Sequence, residues 1–138
     1  MKKLMTMVLF LYLTFLIPFA AQGISANQVV VYYFHTTFRC PTCYKIEQYT
    51  EEAINRYFPK ELQSGRLSFK SINVEQKENQ HFIKDYQLFS KSVVISLIKA
   101  GQEVKYNNLT KIWIYFTDKQ KFYDYIKTET AKYLQEIE

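Results

Sequence analysis

The sequence predicts a single α/β domain in which strands and helices alternate in the order βαβαββα. Short apolar runs rich in β-branched and aromatic residues recur along the chain, as in strands covered on both faces. Segments with apolar residues at three- and four-residue spacing separate these runs, as in amphipathic helices. Two cysteines lie where the first apolar run passes into the first helical segment. That position is the carboxyl end of a strand, where open α/β sheets carry their reactive sites.

Length and composition agree with one globular domain. The chain has 138 residues, of which 48% are hydrophobic and 22% charged, so it can bury a core and does not have a disordered composition. The formal net charge is +5, with lysines interspersed among acidic residues, and we therefore expect no nucleic acid partner. With two cysteines in all, the chain is not a small disulfide-stapled scaffold.

Residues 1–26 are predicted to be a signal peptide or an N-terminal anchor, and residues 27–138 to form the folded domain. Lys2 and Lys3 precede an uncharged apolar run over residues 4–21, and the small residues after it suit a signal peptidase. The run is barely long enough to span a bilayer, so a retained anchor is the alternative to cleavage. In either case we expect an exported domain, periplasmic or extracellular, which meets a membrane only if the segment is retained.

The elements of the folded part follow from residue 29 onward. An apolar run at 29–34 is strand one, and a helix begins at Pro41 or Thr42 and continues to residue 58, with Pro59 as its stop. Residues 109–116 fit a strand or a helix, and a short helix or turn is preferred. The other predicted elements are strand two at 67–74, a short polar helix at 78–86, a strand at 92–99, an edge strand at 103–107, and a final helix capped by Thr117 or Asp118.

The tetrapeptide Cys40-Pro41-Thr42-Cys43 is predicted to be a redox-active dithiol. Cysteine reacts as the thiolate, and the positive end of the helix together with Arg39 favours the anion at Cys40. Pro41 suits the first turn of a helix, where its missing N–H is not needed. Cys43 follows one turn later, close enough to form a disulfide with Cys40 and to be released again.

Two further side chains are considered for proton transfer at this dithiol. His35 lies at the end of strand one and is a candidate proton donor or acceptor, the alternative being a structural hydrogen bond in the loop. Glu47 lies one turn beyond Cys43, and we expect it to face solvent.

A non-catalytic alternative uses the same cysteines to hold a metal ion or cluster, as in a metal chaperone or sensor. Cys40 and Cys43 would be joined by His35 or His81 as ligands. Structural zinc takes four ligands and the sequence has one CxxC, so a metal site within one chain is the less favoured form of this alternative. A cluster or copper ion shared between two chains stays open. A static disulfide is disfavoured, because closing so short a loop stabilises a protein little.

The segment YYFHTTFRCPTC, residues 32–43, resembles the strand, CxxC and helix of the thioredoxin-like fold superfamily. With the following YKIEQYTEEAI it is similar to an exported branch of that superfamily, the ArsF-type subunit of a nitrophenyl compound nitroreductase. The resemblance extends over nearly all of the chain after residue 27. It implies thiol redox chemistry at Cys40 and Cys43, with protein disulfides or thiols as substrates and no cofactor beyond the dithiol itself.

The chain departs from mainstream thioredoxins at three positions. Arg39 replaces their tryptophan, Phe34 replaces their buried aspartate, and Ser92 stands at the position equivalent to their cis-proline. The resemblance therefore does not supply the usual buried proton acceptor. Nor does it imply that a substrate docks beside a cis-proline, because Ser92 would need a non-proline cis bond, which costs about 3 kcal/mol. A serine at this position also leaves the cysteine pair more open to a metal.

These observations together predict an exported thiol–disulfide oxidoreductase. Cys40 would attack a substrate disulfide to give a mixed disulfide, and Cys43 would resolve it. Because such a protein works outside the cytoplasm, we expect a transmembrane thiol relay to supply its electrons.

Overall fold

The computed structural model describes residues 27–137, and the predicted signal segment at 1–26 lies outside them. The described strands are β1 (Gln28–His35), β2 (Leu67–Asn73), β3 (Ser92–Lys99) and β4 (Gln102–Asn108). The described helices are α1 (Pro41–Tyr57), α2 (Pro59–Gln63), α3 (His81–Asp85), α4 (Ile112–Tyr115) and α5 (Lys119–Gln135), with a 3₁₀ turn at Lys77–Asn79.

The strands form one mixed sheet in the order β2-β1-β3-β4. Strand β1 is parallel to β2 and antiparallel to β3, and β3 is antiparallel to β4. Phe34 lies opposite both Ile72 and Ser92, and Asn108 lies opposite Val94, so the ends of β1, β2 and β4 meet the start of β3 at one end of the sheet. This arrangement confirms the predicted α/β domain, with a central mixed sheet flanked by helices.

Strand β1 is continuously apolar because both of its faces are covered. Val31 and Tyr33 belong to the larger core, which α1 and α5 complete on one face of the sheet. Phe34 belongs to a smaller core on the opposite face, together with Tyr86 and Val94. Burial on both faces removes the alternation of polar and apolar residues that a half-exposed strand would show.

Helix α1 begins at Pro41, and the preceding residue, Cys40, is its N-cap with an extended backbone. Its inner face is buried through Ile46 and Ile54, among others. Pro59 ends α1, as predicted, but the chain does not then leave helical structure. It starts α2 at Pro59 itself, because proline suits a first turn as well as it breaks an interior.

The final helix packs across α1 and closes the larger core. Asp118 is its N-cap and accepts a hydrogen bond from the Lys121 N–H at 3.1 Å, which settles the choice between the two predicted caps. The ring of Phe122 meets Tyr49 of α1 edge to face, with centroids 5.7 Å apart. The buried residues of α5 are Phe122, Tyr123, Ile126, Thr130, Tyr133 and Leu134.

The other boundaries differ from the sequence prediction by small amounts. Strand β2 ends at Asn73, and the single helix predicted at 78–86 is divided into the 3₁₀ turn and α3. The ambiguous segment 109–116 contains α4, in agreement with the preferred alternative. Within residues 27–137, none of the helices has both the length and the apolar character that a membrane span requires.

Candidate active site

The sulfur of Cys40 caps the helix that carries Cys43. The Cys43 N–H donates a hydrogen bond to Cys40 Sγ at 3.3 Å. Both cysteines are free thiols; Cys40 is partly exposed and Cys43 is 2% exposed. The structure thus brings together one reachable sulfur and one buried sulfur at the start of a single helix, as an exchange reaction requires.

The two thiols differ in acidity. A hydrogen bond from the Cys43 thiol lowers the pKa of Cys40, and backbone hydrogen bonds at the start of α1 lower it further. Burial raises the pKa of Cys43, and its role as donor to Cys40 adds to that rise. Cys40 is therefore the sulfur that ionises first, and Cys43 holds its proton until Cys40 no longer carries the charge.

Tyr33 fixes the turn that carries Cys43. Its side chain is fully buried, and its hydroxyl donates a hydrogen bond to the Cys43 carbonyl at 2.8 Å. Burial raises the pKa of Tyr33, so the hydroxyl remains a donor over the physiological range. This role of Tyr33 could not be predicted from the sequence, because an aromatic residue in an apolar strand is expected to be a packing residue.

His35 lies against Tyr33, with ring centroids 5.8 Å apart, and is 8% exposed. Its Nδ1 is 2.9 Å from the carbonyl oxygen of Thr36. Because a carbonyl can only accept, this hydrogen bond is donated by Nδ1. His35 therefore makes a structural hydrogen bond in the loop, and its role in proton transfer stays a prediction.

Arg39, which the sequence predicts to favour the thiolate at Cys40, is engaged by residues of α1, and its effect on the thiolate stays a prediction. Its guanidinium forms an ion pair with Glu47, and its Cζ lies 4.8 Å from the centroid of the Tyr44 ring. Glu47 also accepts a hydrogen bond from the Ser71 hydroxyl of β2. The expectation that Glu47 faces solvent is wrong, since the side chains of Arg39 and Glu47 are each only 20% exposed.

The loop between β1 and α1 is held by the end of the neighbouring strand. The Thr37 N–H donates to the Glu75 carboxylate at 2.9 Å, and the Asn73 amide donates to the Thr37 hydroxyl at 3.0 Å. The bond from Thr37 lowers the pKa of Glu75. Sequence reasoning assigned no role in the site to Asn73 or Glu75. Their position at the end of a strand could have indicated a role, because neighbouring parallel strands bring their carboxyl ends to the same edge of the sheet.

Ser92 is buried at the first position of β3, opposite Phe34, and its hydroxyl donates to the Ser90 carbonyl at 2.9 Å. The peptide bonds described for residues 27–137 include no cis bond. The preceding residue, Lys91, was not predicted as part of the site. Its positive charge partly offsets the rise in the pKa of Cys43.

An apolar pocket of about 200 Å³ lies at the same end of the sheet. His35 and Lys91 are its titratable lining residues, and Phe89 at its edge is 97% exposed. An apolar pocket with a cation beside it suits a ligand that carries an apolar group next to a negative charge. The residues that line the pocket are Phe34, His35, Thr36, Val74, Ile83, Leu88, Phe89, Ser90 and Lys91.

The metal-binding alternative lacks a ligand set in the part of the chain that the structure describes. There, no three or more histidine, cysteine and acidic side chains are grouped so that they could hold an ion. His81, which the sequence offered as a ligand, pairs its Nδ1 with Asp85 at 2.8 Å on the exposed surface of α3.

The chain is similar in structure to several thioredoxins. One from Plasmodium falciparum is 18% identical, with a TM-score of 0.45, and the match covers 76% of this chain and 85% of that one. One from Fasciola hepatica is 17% identical, with a TM-score of 0.43 and coverage of 80% and 82%. A mutant from Entamoeba histolytica is 22% identical, with a TM-score of 0.44 and coverage of 76% and 85%. No family model and no curated protein matches the sequence.

Proposed function

We propose that this protein is a thiol–disulfide oxidoreductase in which Cys40 is the attacking sulfur and Cys43 the resolving one. The observation that carries the proposal is the hydrogen bond from the Cys43 N–H to Cys40 Sγ at the start of α1. This bond joins a partly exposed sulfur, whose pKa is lowered, to the residue that carries a buried thiol one turn later in the helix. Thiol–disulfide exchange needs this combination of an exposed attacking thiolate and a nearby second thiol.

The reaction proceeds through two exchanges. The Cys40 thiolate attacks one sulfur of a substrate disulfide, a Cys40–substrate disulfide forms, and the other substrate sulfur leaves as a thiolate. Cys43 then loses its proton and attacks Cys40 Sγ, which forms the Cys40–Cys43 disulfide and releases the second substrate sulfur as a thiolate. Two electrons pass from the dithiol to the substrate, and the two leaving thiolates take up protons. A dithiol reductant restores the protein by the same steps in reverse.

The surrounding residues have separable parts in this scheme. Tyr33 holds the backbone at Cys43, so the resolving sulfur stays aligned with Cys40 after the mixed disulfide forms. His35, which lies against Tyr33, is the proposed acceptor for the proton of Cys43. Lys91 favours the Cys43 thiolate when it appears. Together they serve in place of the buried aspartate that Phe34 replaces.

The finer assignments are also proposals. The apolar run at 4–21 supports export to the periplasm or the exterior, with removal or retention of the segment as an anchor. The similarity of residues 32–54 to the ArsF-type branch supports membership of that group of exported proteins. Protein disulfides or thiols are the proposed substrates, and a transmembrane thiol relay is the proposed electron donor.

The test is turnover of a protein disulfide by the reduced protein, compared among wild type, Cys40→Ser and Cys43→Ser. We expect Cys40→Ser to be inactive and Cys43→Ser to accumulate a mixed disulfide through Cys40, which mass spectrometry detects. If both variants reduce the substrate as wild type does, the proposal is wrong. Anaerobic purification with a stoichiometric metal on the cysteines would instead support the chaperone or sensor alternative.

A further inference from the structure

The guanidinium of Arg39 is fixed from two sides by residues of α1. Glu47 forms the ion pair with it, and the ring of Tyr44 lies under its Cζ at 4.8 Å. Glu47 is in turn fixed from β2 by the Ser71 hydroxyl. Arg39 is the positively charged residue closest to Cys40 in the sequence. These contacts hold its guanidinium against a carboxylate and an aromatic ring one to two turns into α1.

This pairing of Arg39 matters because a positive charge beside Cys40 would change the reduction potential of the dithiol. Thiolate at Cys40 occurs only in the reduced protein, so any charge that stabilises the thiolate stabilises the reduced form and makes the protein a stronger oxidant. The Arg39 and Glu47 side chains are 80% shielded from solvent, so their charges are screened less than those of a surface pair. Neutralisation of Arg39 by Glu47 therefore bears on the equilibrium between dithiol and disulfide.

We propose that Glu47 is a positioning residue that sets the reduction potential of the dithiol by pairing with Arg39 and neutralising its charge. The inference rests on the proposed redox function of Cys40 and Cys43. It adds a residue that influences the direction in which electrons flow. With Glu47 in place the protein is kept on the reducing side, as suits a donor of electrons to substrate disulfides. Without it, the unpaired guanidinium stabilises the Cys40 thiolate.

The two single substitutions should shift the potential in opposite directions. Glu47→Gln leaves the Arg39 charge uncompensated near Cys40, so the equilibrium constant with glutathione should move about fivefold toward the reduced protein, about 20 mV more oxidising. Arg39→Met leaves the Glu47 carboxylate uncompensated, so the constant should move toward the disulfide. The double variant, Arg39→Met with Glu47→Gln, should return close to wild type.

The experiment equilibrates each full-length variant at a series of ratios of reduced to oxidised glutathione and measures the fraction of Cys40–Cys43 disulfide by alkylation and mass spectrometry. Glu51→Gln is the matched control, since it removes the same charge from an exposed position on α1 and should move the constant less than twofold. The ultraviolet absorbance of the thiolate against pH, recorded on the same variants, should show Cys40 ionising earlier in Glu47→Gln.

The outcomes separate this inference from the proposed function. A purely structural role for Glu47 would not give opposite shifts in the two single variants, nor cancellation in the double variant. Wild-type potentials in Glu47→Gln, or a shift toward the disulfide, would overturn the inference while leaving the redox function intact. Failure of the wild-type cysteines to equilibrate with glutathione at all would overturn both.

Discussion

The Cys43 N–H lies 3.3 Å from Cys40 Sγ and donates a hydrogen bond to it, so the more exposed of the two sulfurs is also the cap of its own helix. An N-cap acceptor satisfies a backbone donor that the helix leaves without a partner. A negative acceptor does so better than a neutral one, and the positive end of the helix dipole favours the same charge. The local fold and the ionisation of Cys40 therefore support each other.

Removal of the Cys43 thiol should make Cys40 a weaker acid. The thiol of Cys43 is the largest cause of the lowered pKa of Cys40, and Cys43→Ala removes it while keeping the backbone N–H. The pKa of Cys40 should rise, because its thiolate loses one donor. Alkylation of Cys40 near neutral pH should then slow severalfold. Unchanged alkylation kinetics would mean that the backbone hydrogen bonds alone control the ionisation.

Loss of the Tyr33 hydroxyl should impair the resolving step. Tyr33→Phe removes the 2.8 Å hydrogen bond to the Cys43 carbonyl, at a cost of about 1 kcal/mol in the free energy of unfolding. The mixed disulfide at Cys40 should persist severalfold longer in single-turnover experiments stopped with acid. Tyr32→Phe is the control, because Tyr32 stacks on Phe34 on the opposite face of β1. Equal lifetimes in the two variants would contradict a role for Tyr33 in alignment.

The framework of the fold could be read from the sequence where composition and structure agree. The runs at 29–34 and 92–99 are buried along almost their whole length, so apolar β-branched residues marked both strands correctly. The start of α1 was marked by Pro41 and the end by Pro59. The short elements were less accurate, because a helix as short as α3 has too few residues for a periodic pattern and depends on tertiary packing.

The candidate site was predicted only in part, for a similar reason. Cys40 and Cys43 belong to one local motif, and their spacing alone placed them on the first turn of a helix. The pairing of Arg39 with Glu47 could not be predicted in this way, because the Ser71 hydroxyl that holds Glu47 comes from another strand. Likewise Glu75 and Lys91 reach the site only through the order of the strands, which a single sequence does not encode locally.

The Glu75 carboxylate should protect the loop that precedes the dithiol. Its bond from the Thr37 N–H is present in the ionised form, and the pKa of Glu75 is lowered by that bond. The hydrogen bond is therefore fully formed above the ordinary pKa of a carboxyl group and is lost as pH falls through the lowered pKa of Glu75. Glu75→Ala should speed hydrogen exchange of the Thr37 amide at least severalfold near neutral pH, as NMR can measure. Glu78→Ala, at an exposed position in the 3₁₀ turn, is the control and should leave this amide unchanged.

Glu52 should make the stability of the domain depend on pH in the acid range. Its carboxylate joins α1 to α5 through an ion pair with Lys119 at 2.8 Å and a hydrogen bond from the Tyr123 hydroxyl. The bond from Lys119, followed by that from Tyr123, lowers the pKa of Glu52 to about 2. Because this pKa is lower in the folded protein than in the unfolded chain, the stabilisation is complete above the ordinary glutamate pKa and disappears as pH falls toward 2.

Glu52→Gln should accordingly lower the Tm by a few degrees at neutral pH, and the difference from wild type should vanish near pH 2. Scanning calorimetry at a series of pH values measures both Tm curves. Glu51→Gln, one residue away and exposed, should follow the wild-type curve throughout. A Tm difference for Glu52→Gln that persists unchanged at pH 2 would show that packing between α1 and α5, rather than the charge of Glu52, accounts for the loss.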